Sequence, residues 1–263
     1  MITFNTDGMV NQSFAFKAPI MDYIFKNVKP EHLIKLYQCS KYFYAKVHLN
    51  IIQHLEIVHS GQPEAFGLTK TAIRTSNHSF SKLSGYWIFG SLKTHALLKT
   101  INISNFYRCT IKKLELAEYI PWKEFVMLTK AGTVEDLKIL GLNYLNQSLE
   151  DIIAQVPNAT SIEITDPYFS STTLESLLSM NHKTKFTTFI LTYIQENFDG
   201  DLLLDYILLV VFQMNADVDC DVHVSSRLPP PHFDVDLYYE IQDIQYNEKI
   251  AEALKRKKQY FLK

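Results

Sequence analysis

The stretch "TVEDLKILGL", residues 133–142, decides the fold expected for this chain. Val134, Leu137 and Ile139 follow an apolar-x-x-apolar-x-apolar pattern, in which the last two apolar side chains flank a polar one, as they do on a half-buried strand. The same pattern recurs in TIKKLELA (110–117), ATSIEIT (159–165) and KFTTFILTYI (185–194), and weaker strand patterns lie at YWIFGSL (86–92) and DCDVHV (219–224). The sequence therefore predicts a series of short strands from residue 86 onward.

The strand segments recur at regular distances. The steps are 26, 23, 25, 27 and 33 residues, counted along Ile88, Leu114, Leu137, Ile162, Phe189 and Val222. Helical patterns lie in or after these intervals, at 121–132, 148–157, 171–180 and 200–214. A strand-plus-helix unit cannot bury its apolar face alone, but a stack of units can, and leucine-rich repeats have this strand core at a spacing of roughly 20–29 residues. The spacing favours an irregular α/β leucine-rich-repeat-like solenoid over residues 86–247, with an ordinary α/β layer fold as the alternative.

The N-terminal part of the chain has a different pattern. Residues 1–16 are polar and aperiodic, which predicts a flexible N-terminus. Helical spacing of apolar residues follows in 20–28, and Pro30 begins a second helix, since a proline at the first helical position sacrifices no hydrogen bond. A small helical module is therefore predicted at 17–60. The Ser-, Thr-, Gly- and Asn-rich segment 61–85 predicts a linker, and the basic segment 248–263 predicts a C-terminal helix or tail.

Composition restricts the class of protein. The formal net charge of −2 argues against a general nucleic-acid binder, which needs a dominant basic surface. Cys39, Cys109 and Cys220 lie far apart without metal-ligand spacing, and this sparse, odd count suits a reducing compartment. The most apolar run, 206–212, is too short to span a bilayer, and the N-terminus has no signal-peptide pattern. We expect a cytoplasmic or nuclear protein that binds neither nucleic acid nor membrane.

Candidate chemical sites are few. The sequence has none of the glycine-rich, nucleophile or zinc-protease motifs of common enzymes. On a strand, alternation would place the side chains of Asp217, Asp219, Asp221 and His223 on one face. A hard cation could use these carboxylates, but a polar, solvent-facing strand explains them more simply. We therefore predict no catalytic residues, no metal site and no cofactor.

Two further segments suggest contacts with a partner protein. The segment RLPPPHF (227–233) is either a polyproline II ligand or a stiff loop. Aromatic residues at or after strand ends are either core residues or part of a binding face of the repeats: Tyr168, Phe169, Tyr193 and Phe198.

The segment APIMDYIFKNVKPEHLIKLYQCSKYFYAKV, residues 18–47, resembles an F-box. Its opening matches in the residues around Pro19, its middle in a proline-initiated helix with two leucines, and its close in CSKYF (39–43). Ala18 stands where a leucine is usual in the motif, and Met21 where an acidic residue is usual. More narrowly, the chain over about 16–225 resembles the divergent nematode families of F-box-like proteins whose C-terminal region carries degenerate leucine-rich-type units. The phrases that carry this resemblance include YWIFGSL, FYRCTIKKLELA and LEDIIAQVPNATSIEIT.

The resemblance implies a substrate receptor of a cullin–RING ubiquitin ligase, which is not itself an enzyme. The helical module would dock on a Skp-type adaptor subunit, and the repeat region would hold an unknown protein target. The implied adaptor-binding residues are Pro19, Ile20, Ile24, Leu33, Leu36 and Phe43. The same residues could instead pack inward against the repeats.

Two rival interpretations remain open at this point. The chain could be a non-catalytic interaction scaffold outside the ubiquitin system, with the helices serving as a cap, or an enzyme with a carboxylate–metal site at 217–223. An apolar outer stripe on the helices would favour the receptor, because the terminal caps of repeat proteins have a polar outer face.

Overall fold

The structure is a computed structural model that describes residues 7–8, 17–67, 70–95, 106–117, 120–140, 147–180, 182, 184, 186–194 and, through the backbone alone, 221–226. Within these residues the chain is a mixed α+β protein with a largely parallel sheet. The predicted helix at 200–214, the proline-rich segment 227–233 and the C-terminal segment 248–263 lie outside the described residues. Of the N-terminal segment predicted to be flexible, only Asp7 and Gly8 are described.

Three short helices come first: α1 (Ala18–Asn27), α2 (Pro30–Cys39) and α3 (Lys41–Val47). Prolines in the first turns of α1 and α2 suit those positions, because the first N–H groups of a helix have no partner within it. Helix α3 begins after Ser40, whose Oγ accepts a hydrogen bond from the Tyr42 N–H at 3.3 Å. It ends at Val47, and the next residue, His48, has a left-handed φ of 53°. The helices expected at 20–28 and from Pro30 onward are therefore present.

The strands of the described residues are β1 Asn50–Val58, β2 Ala65–Phe66, β3 Lys70–Arg74, β4 Tyr86–Thr94, β5 Arg108–Leu116, β6 Asp136–Ile139, β7 Ser161–Thr165, β8 Thr188–Ile194 and β9 Asp221–Ser226. They form one sheet in the order β2-β3-β1-β4-β5-β6-β7-β8-β9. Strand β2 pairs antiparallel with β3, and the other neighbouring pairs are parallel. Strands are therefore present in each segment for which the sequence predicted one.

The apolar residues that set the sequence spacing meet on one face of the sheet. Leu114, Leu137, Ile162 and Phe189 are successive cross-strand partners on β5 to β8, and all four are buried. Helices α4 (Trp122–Thr129), α5 (Leu149–Gln155) and α6 (Thr173–Ser179) supply residues such as Phe125 to the same core, which we call the main core. Burial of this apolar face is what holds the strand-and-helix layers together.

Strand β4 carries an irregularity at Gly90. Its φ of +76° lies in the region that favours glycine, and a Cβ added there would lie 2.6 Å from the Gln53 carbonyl oxygen on β1. The pairing of β4 with each of its neighbours, β1 and β5, shifts register at this point. As a result the partner of Leu114 is Leu92, whereas Ile88, which served to count the spacing, pairs with Cys109.

The predicted domain boundary and linker need correction. Strand β1 lies within the range assigned to the helical module (17–60), and it pairs with both β3 and β4. Strands β2 and β3 lie within the predicted linker (61–85), which also contains a short 3₁₀ helix, Phe80–Gly85. Burial of Ile73 and its neighbours in the sheet outweighs the loop-like composition around them. The sheet therefore begins directly after α3 rather than at residue 86.

Candidate protein-interaction surface

The N-terminal helices pack on the face of the sheet opposite the main core. Leu33 and Tyr37 of α2 form a buried cluster with Ile51 of β1 and with Trp87 and Phe89 of β4. Neighbouring Ile88 belongs to the main core, as expected when successive strand residues face opposite sides. We call this group the helix–sheet cluster. It joins the helical module to the sheet.

A hydrogen bond supports the helix–sheet cluster from within. The Tyr37 hydroxyl donates to the Leu49 carbonyl at 3.0 Å, and burial raises the pKa of this phenol well above its usual range. Tyr37 and Tyr44 meet edge to face, with ring centroids 5.3 Å apart. The side chain of Tyr44 also donates a hydrogen bond to Asn50 Oδ1 at 3.0 Å, so that α3 is tied to the first residue of β1.

The implied adaptor-binding residues of α2 and α3 lie at or near this inner contact. Leu33 is 1% exposed and packs within the helix–sheet cluster. Leu36 and Phe43 are half-buried and pack against its edge, and Phe43 also contacts Phe25 of α1 edge to face. In this arrangement Leu33 has no surface to offer to another protein.

Helix α1 differs from α2 in that it carries apolar residues on two sides. Its inner side carries buried Met21 and half-buried Phe25, and Phe25 packs against the helix–sheet cluster together with Val28, the residue that follows α1. On its outer side, Ile20 is 48% exposed and Tyr23 is 70% exposed. Pro19 is exposed beside them and Ile24 is half-buried. The spacing i, i+3, i+4 places Ile20, Tyr23 and Ile24 on one face of the helix, and we call these three residues the outer stripe.

The face of the sheet that carries the helix–sheet cluster is charged farther along the strands. One rung of directly opposed residues crosses β1, β4, β5, β6 and β7 with alternating sign: Glu56, Lys93, Glu115, Lys138 and Glu163. Within it, Lys93 Nζ lies 2.6 Å from Glu115 Oε1, and Lys138 Nζ lies 2.5 Å from Glu163 Oε2. We call this set the charged rung. Opposite charges facing each other on neighbouring strands stabilise the pairing of those strands.

Glu56, at one end of the rung, has further partners, and the pKa values reflect the ion pairs. Lys70 Nζ of β3 lies 2.7 Å from Glu56 Oε2, and His95 Nε2 lies 3.1 Å from Glu56 Oε1. The hydrogen bond from Lys70, followed by its charge and by His95, lowers the pKa of Glu56, although burial opposes the shift. Likewise the hydrogen bond to Glu163 raises the pKa of Lys138. The face is therefore highly charged but largely neutralised by internal pairs.

The aromatic residues predicted at strand ends divide between surface and core. Tyr168 after β7 and Tyr193 near the end of β8 are exposed, and Phe169 packs against the main core. Phe198 lies outside the described residues. Sequence reasoning did not single out Tyr23 or the charged rung. Helical spacing from Ile20 could have identified Tyr23. A charged residue between two apolar strand positions could have identified four residues of the rung: Glu56, Glu115, Lys138 and Glu163.

The described residues offer no assembled site for a metal ion: they include no group of three or more His, Cys, Asp or Glu side chains placed to hold one. Asp217 and Asp219 of the sequence-predicted cluster lie outside the described residues, and Asp221 and His223 are described only as backbone in β9. Cys39 and Cys109 are free thiols, and burial raises the pKa of Cys109 to about 12, which makes it a poor nucleophile at neutral pH.

Among the described residues, every helix is too short or too polar to cross a bilayer. Comparison of the chain with protein-family models, with curated proteins and with solved structures found no match.

Proposed function

We propose that this chain is a non-catalytic substrate receptor of a cullin–RING ubiquitin ligase. The outer stripe of α1, with neighbouring Pro19, docks on a Skp-type adaptor, and the face of the sheet that carries the charged rung holds a protein target. Because the conjugating enzyme supplies the chemistry, the receptor acts by bringing the target close to it, and it needs no active site of its own. The proposal places the protein in the cytoplasm or nucleus.

The single observation that carries this proposal is the exposed outer stripe. A helix that only capped the sheet would carry apolar residues on its inner side and polar ones outside, whereas α1 is apolar on both. Apolar residues at i, i+3 and i+4 on a short helix are the usual anchors of helix-in-groove recognition, and in α1 the first two, Ile20 and Tyr23, are exposed. The resemblance of residues 18–47 to an F-box suggests that the partner is a Skp-type adaptor.

The proposal includes a finer view of the fold, in which the strand and helix units form an irregular leucine-rich-repeat-like array. Parallel strands that follow one another in the sheet as they do in sequence, from β4 to β9, support this view. A row of directly opposed apolar residues across β5 to β8 also supports it: Leu114, Leu137, Ile162 and Phe189. In such arrays the strands form one continuous surface, which is suited to holding a protein segment.

The adaptor contact is narrower than the resemblance alone implies. Since Leu33 lies inside the helix–sheet cluster, we assign the main contact to Pro19, Ile20, Tyr23 and Ile24, with the half-buried side chains of Leu36 and Phe43 at its edge. Met21, which replaces an acidic residue of the usual motif, is buried here and takes no part.

A binding assay with a purified Skp-type adaptor tests the proposal. We expect the wild-type chain to bind and an Ile20→Asp/Tyr23→Asp double variant to lose binding while its circular dichroism stays unchanged, since both side chains are exposed. A Lys123→Asp variant serves as the control, because this exposed residue lies on α4, on the other face of the sheet. Failure of the wild type to bind where an established F-box protein binds would refute the proposal.

The burial of Leu33 and Tyr37 supports a second function, that of an interaction scaffold outside the ubiquitin system. In that case the helices belong structurally to the sheet and serve as its cap. The same assay separates the two functions, because a scaffold of this kind has no affinity for the adaptor.

A further inference from the structure

A groove of about 620 Å³ lies between the α1–α2 joint and the amino-terminal halves of β4 and β5, on the same face as the charged rung. Volumes of roughly 300–1,000 Å³ are typical of sites that bind small molecules or short segments. The lining includes Lys26, Asn27 and Lys29 at the α1–α2 joint, Trp87 and Phe89 of β4, and Arg108 and Lys112 of β5. The groove does not include Ile20 or Tyr23, so it is separate from the proposed adaptor contact.

The lining carries an excess of positive charge. It contains the cations Lys26, Lys29, Arg108 and Lys112 and the carboxylates Glu31 and Glu135. The excess of two positive charges contrasts with the formal net charge of −2 for the whole chain. A concave surface lined mainly by one sign of charge concentrates ligands of the other sign.

The cations of the groove differ in how they are paired. Lys112 Nζ lies 2.8 Å from Glu135 Oε1, and this contact raises the pKa of the lysine. By contrast, Lys26, Lys29 and Arg108 form no ion pair with any carboxylate of the described residues. These three charges are therefore available to an incoming anion.

Arg108 is the best-positioned of the three. Its guanidinium lies over the indole of Trp87, 4.5 Å from the ring centroid, and Trp87 Nε1 in turn donates a hydrogen bond to Thr110 Oγ1 at 2.8 Å. Stacking on the indole limits the conformations of the exposed arginine. A planar guanidinium held in this way can donate two hydrogen bonds to one carboxylate.

The same geometry disfavours a nucleotide or single-stranded nucleic acid as the ligand. Those ligands need an open aromatic face on which a base can stack. Both Trp87 and Phe89 are buried, and Arg108 covers the Trp87 ring. Carboxylate recognition needs only the cations and the hydrogen-bond donors of the lining.

We propose that this groove binds an acidic segment of a protein partner, with Arg108 holding one carboxylate and Lys26 and Lys29 its neighbours. For the proposed receptor, this means that the target carries an acidic segment. The inference rests on the proposed function only in identifying that partner as a ubiquitination target. Binding in the groove is independent of the adaptor.

Fluorescence anisotropy with the full chain tests this inference. The probe is a short fluorescein-labelled peptide of alternating Glu and Gly, and its uncharged counterpart replaces each Glu by Gln. We expect the acidic peptide to bind at least about tenfold more tightly than the Gln peptide, with a difference that shrinks as ionic strength rises from about 0.05 M to about 0.3 M. Equal binding of the two peptides, or no binding of either, would overturn the proposal.

Variants locate the site. Arg108→Gln and the double variant Lys26→Gln/Lys29→Gln should each weaken binding of the acidic peptide about three- to tenfold, because each removes exposed charge contacts. The matched control Lys123→Gln/Lys130→Gln removes two exposed lysines at and after α4, and should leave the affinity unchanged. An equal loss in this control would show diffuse attraction and overturn the proposal. All the side chains changed are exposed, and thermal melting verifies that each variant is folded.

Two further arms separate this inference from its rivals. The Ile20→Asp/Tyr23→Asp variant should bind the acidic peptide like the wild type, even though it has lost the adaptor, so failure of one proposal leaves the other open. In a second arm, the affinity of a labelled single-stranded oligonucleotide is measured for the wild type and for the same variants. Tighter, Arg108-dependent binding of the oligonucleotide than of the peptide would overturn the assignment of the groove to an acidic protein segment.

Discussion

Replacing Leu33 by alanine tests whether the helical module is built onto the sheet. Leu33 is 1% exposed and packs with Tyr37 of its own helix and with Trp87 of β4. Full burial of a leucine side chain contributes about 1.5–3 kcal/mol, and the cavity left by Leu→Ala adds to the loss, so such changes cost about 2–5 kcal/mol. We expect Leu33→Ala to lower the free energy of unfolding by about 3 kcal/mol.

Equilibrium unfolding in urea, followed by tryptophan fluorescence, measures this effect. The chain has two tryptophans: Trp87 lies in the helix–sheet cluster, and Trp122 lies on α4 against Phe125 of the main core. In a Trp122→Phe background the fluorescence reports on the helix–sheet cluster alone, and far-UV circular dichroism reports on the whole fold. Coincident transitions would show that the helices and the sheet unfold together.

Two controls make the result decisive. Ile20→Ala, on the outer side of α1, should change stability by no more than about 0.5 kcal/mol because the side chain is 48% exposed. Leu137→Ala, in the main core, should cost about 3 kcal/mol. If Leu33→Ala costs no more than Ile20→Ala while Leu137→Ala is destabilising, the helices do not pack on the sheet and Leu33 returns to the candidate adaptor contacts.

Three further predictions follow from local geometry. Gly90→Ala should cost about 1–3 kcal/mol in a melting experiment, because the φ of +76° and the neighbouring carbonyl leave no room for a Cβ. Gly85→Ala should be nearly neutral, because a Cβ there would have nothing within 4 Å. Equal effects of the two substitutions would contradict the proposed strain. The lowered pKa of Glu56 means that its ion pairs stabilise the fold above its unfolded pKa of about 4.5 and stop doing so as the pH falls through the folded value. The stability gap between wild type and Glu56→Gln should therefore be within about 1 kcal/mol at neutral pH and vanish in acid, and a gap that widens in acid would contradict the sign. Iodoacetamide should modify exposed Cys39 at least about a hundredfold faster than Cys109, whose pKa burial raises to about 12, as peptide mass spectrometry would show; comparable rates would mean that Cys109 is accessible.

The sequence predicted the strands of the main core because their pattern is local. An apolar-x-apolar ending needs only the pleat of the strand to place both side chains on one face, and Leu137 and Ile139 do so in the structure. The error at Ile88 arose because a glycine bulge changes the register without changing the apolar pattern. Strand β3 was missed since a five-residue strand in a Ser/Thr-rich segment has little local signal, and its pairing with β1 is a contact that only the fold reveals.

The candidate adaptor contact was predictable only in part, for a related reason. Helical spacing identifies apolar faces but not which face turns inward, and α1 has two: one with Ile20 and Tyr23, the other with Met21 and Phe25. The choice depends on where the sheet lies. The apolar residues of β4 that receive the helices include Trp87, which the sequence presented only as part of a strand.

The charged rung was present in the sequence, and its continuity leads to a last prediction. Successive residues of the rung have opposite charge: Lys93 faces Glu115, Glu115 faces Lys138, and Lys138 faces Glu163. Exchanging the two central charges in a Glu115→Lys/Lys138→Glu double variant keeps opposite signs at those two positions but changes the sign that each presents to its outer neighbour. In a continuous rung, the exchange places Lys against Lys93 and Glu against Glu163.

Two attractive contacts, at 2.6 Å and 2.5 Å, thus become repulsive while the central pair is retained. Cross-strand charge pairs contribute roughly 0.2–1 kcal/mol each, and like charges destabilise by similar amounts. The exchange should therefore cost about 1–2 kcal/mol in urea unfolding and less in high salt, since the side chains are partly exposed. A neutral exchange at low salt would show that the contacts with Lys93 and Glu163 do not stabilise the sheet. A salt-sensitive loss would show that the alternation of sign stabilises this register, in which a two-residue slip of β6 would bring Asp136 opposite Glu115.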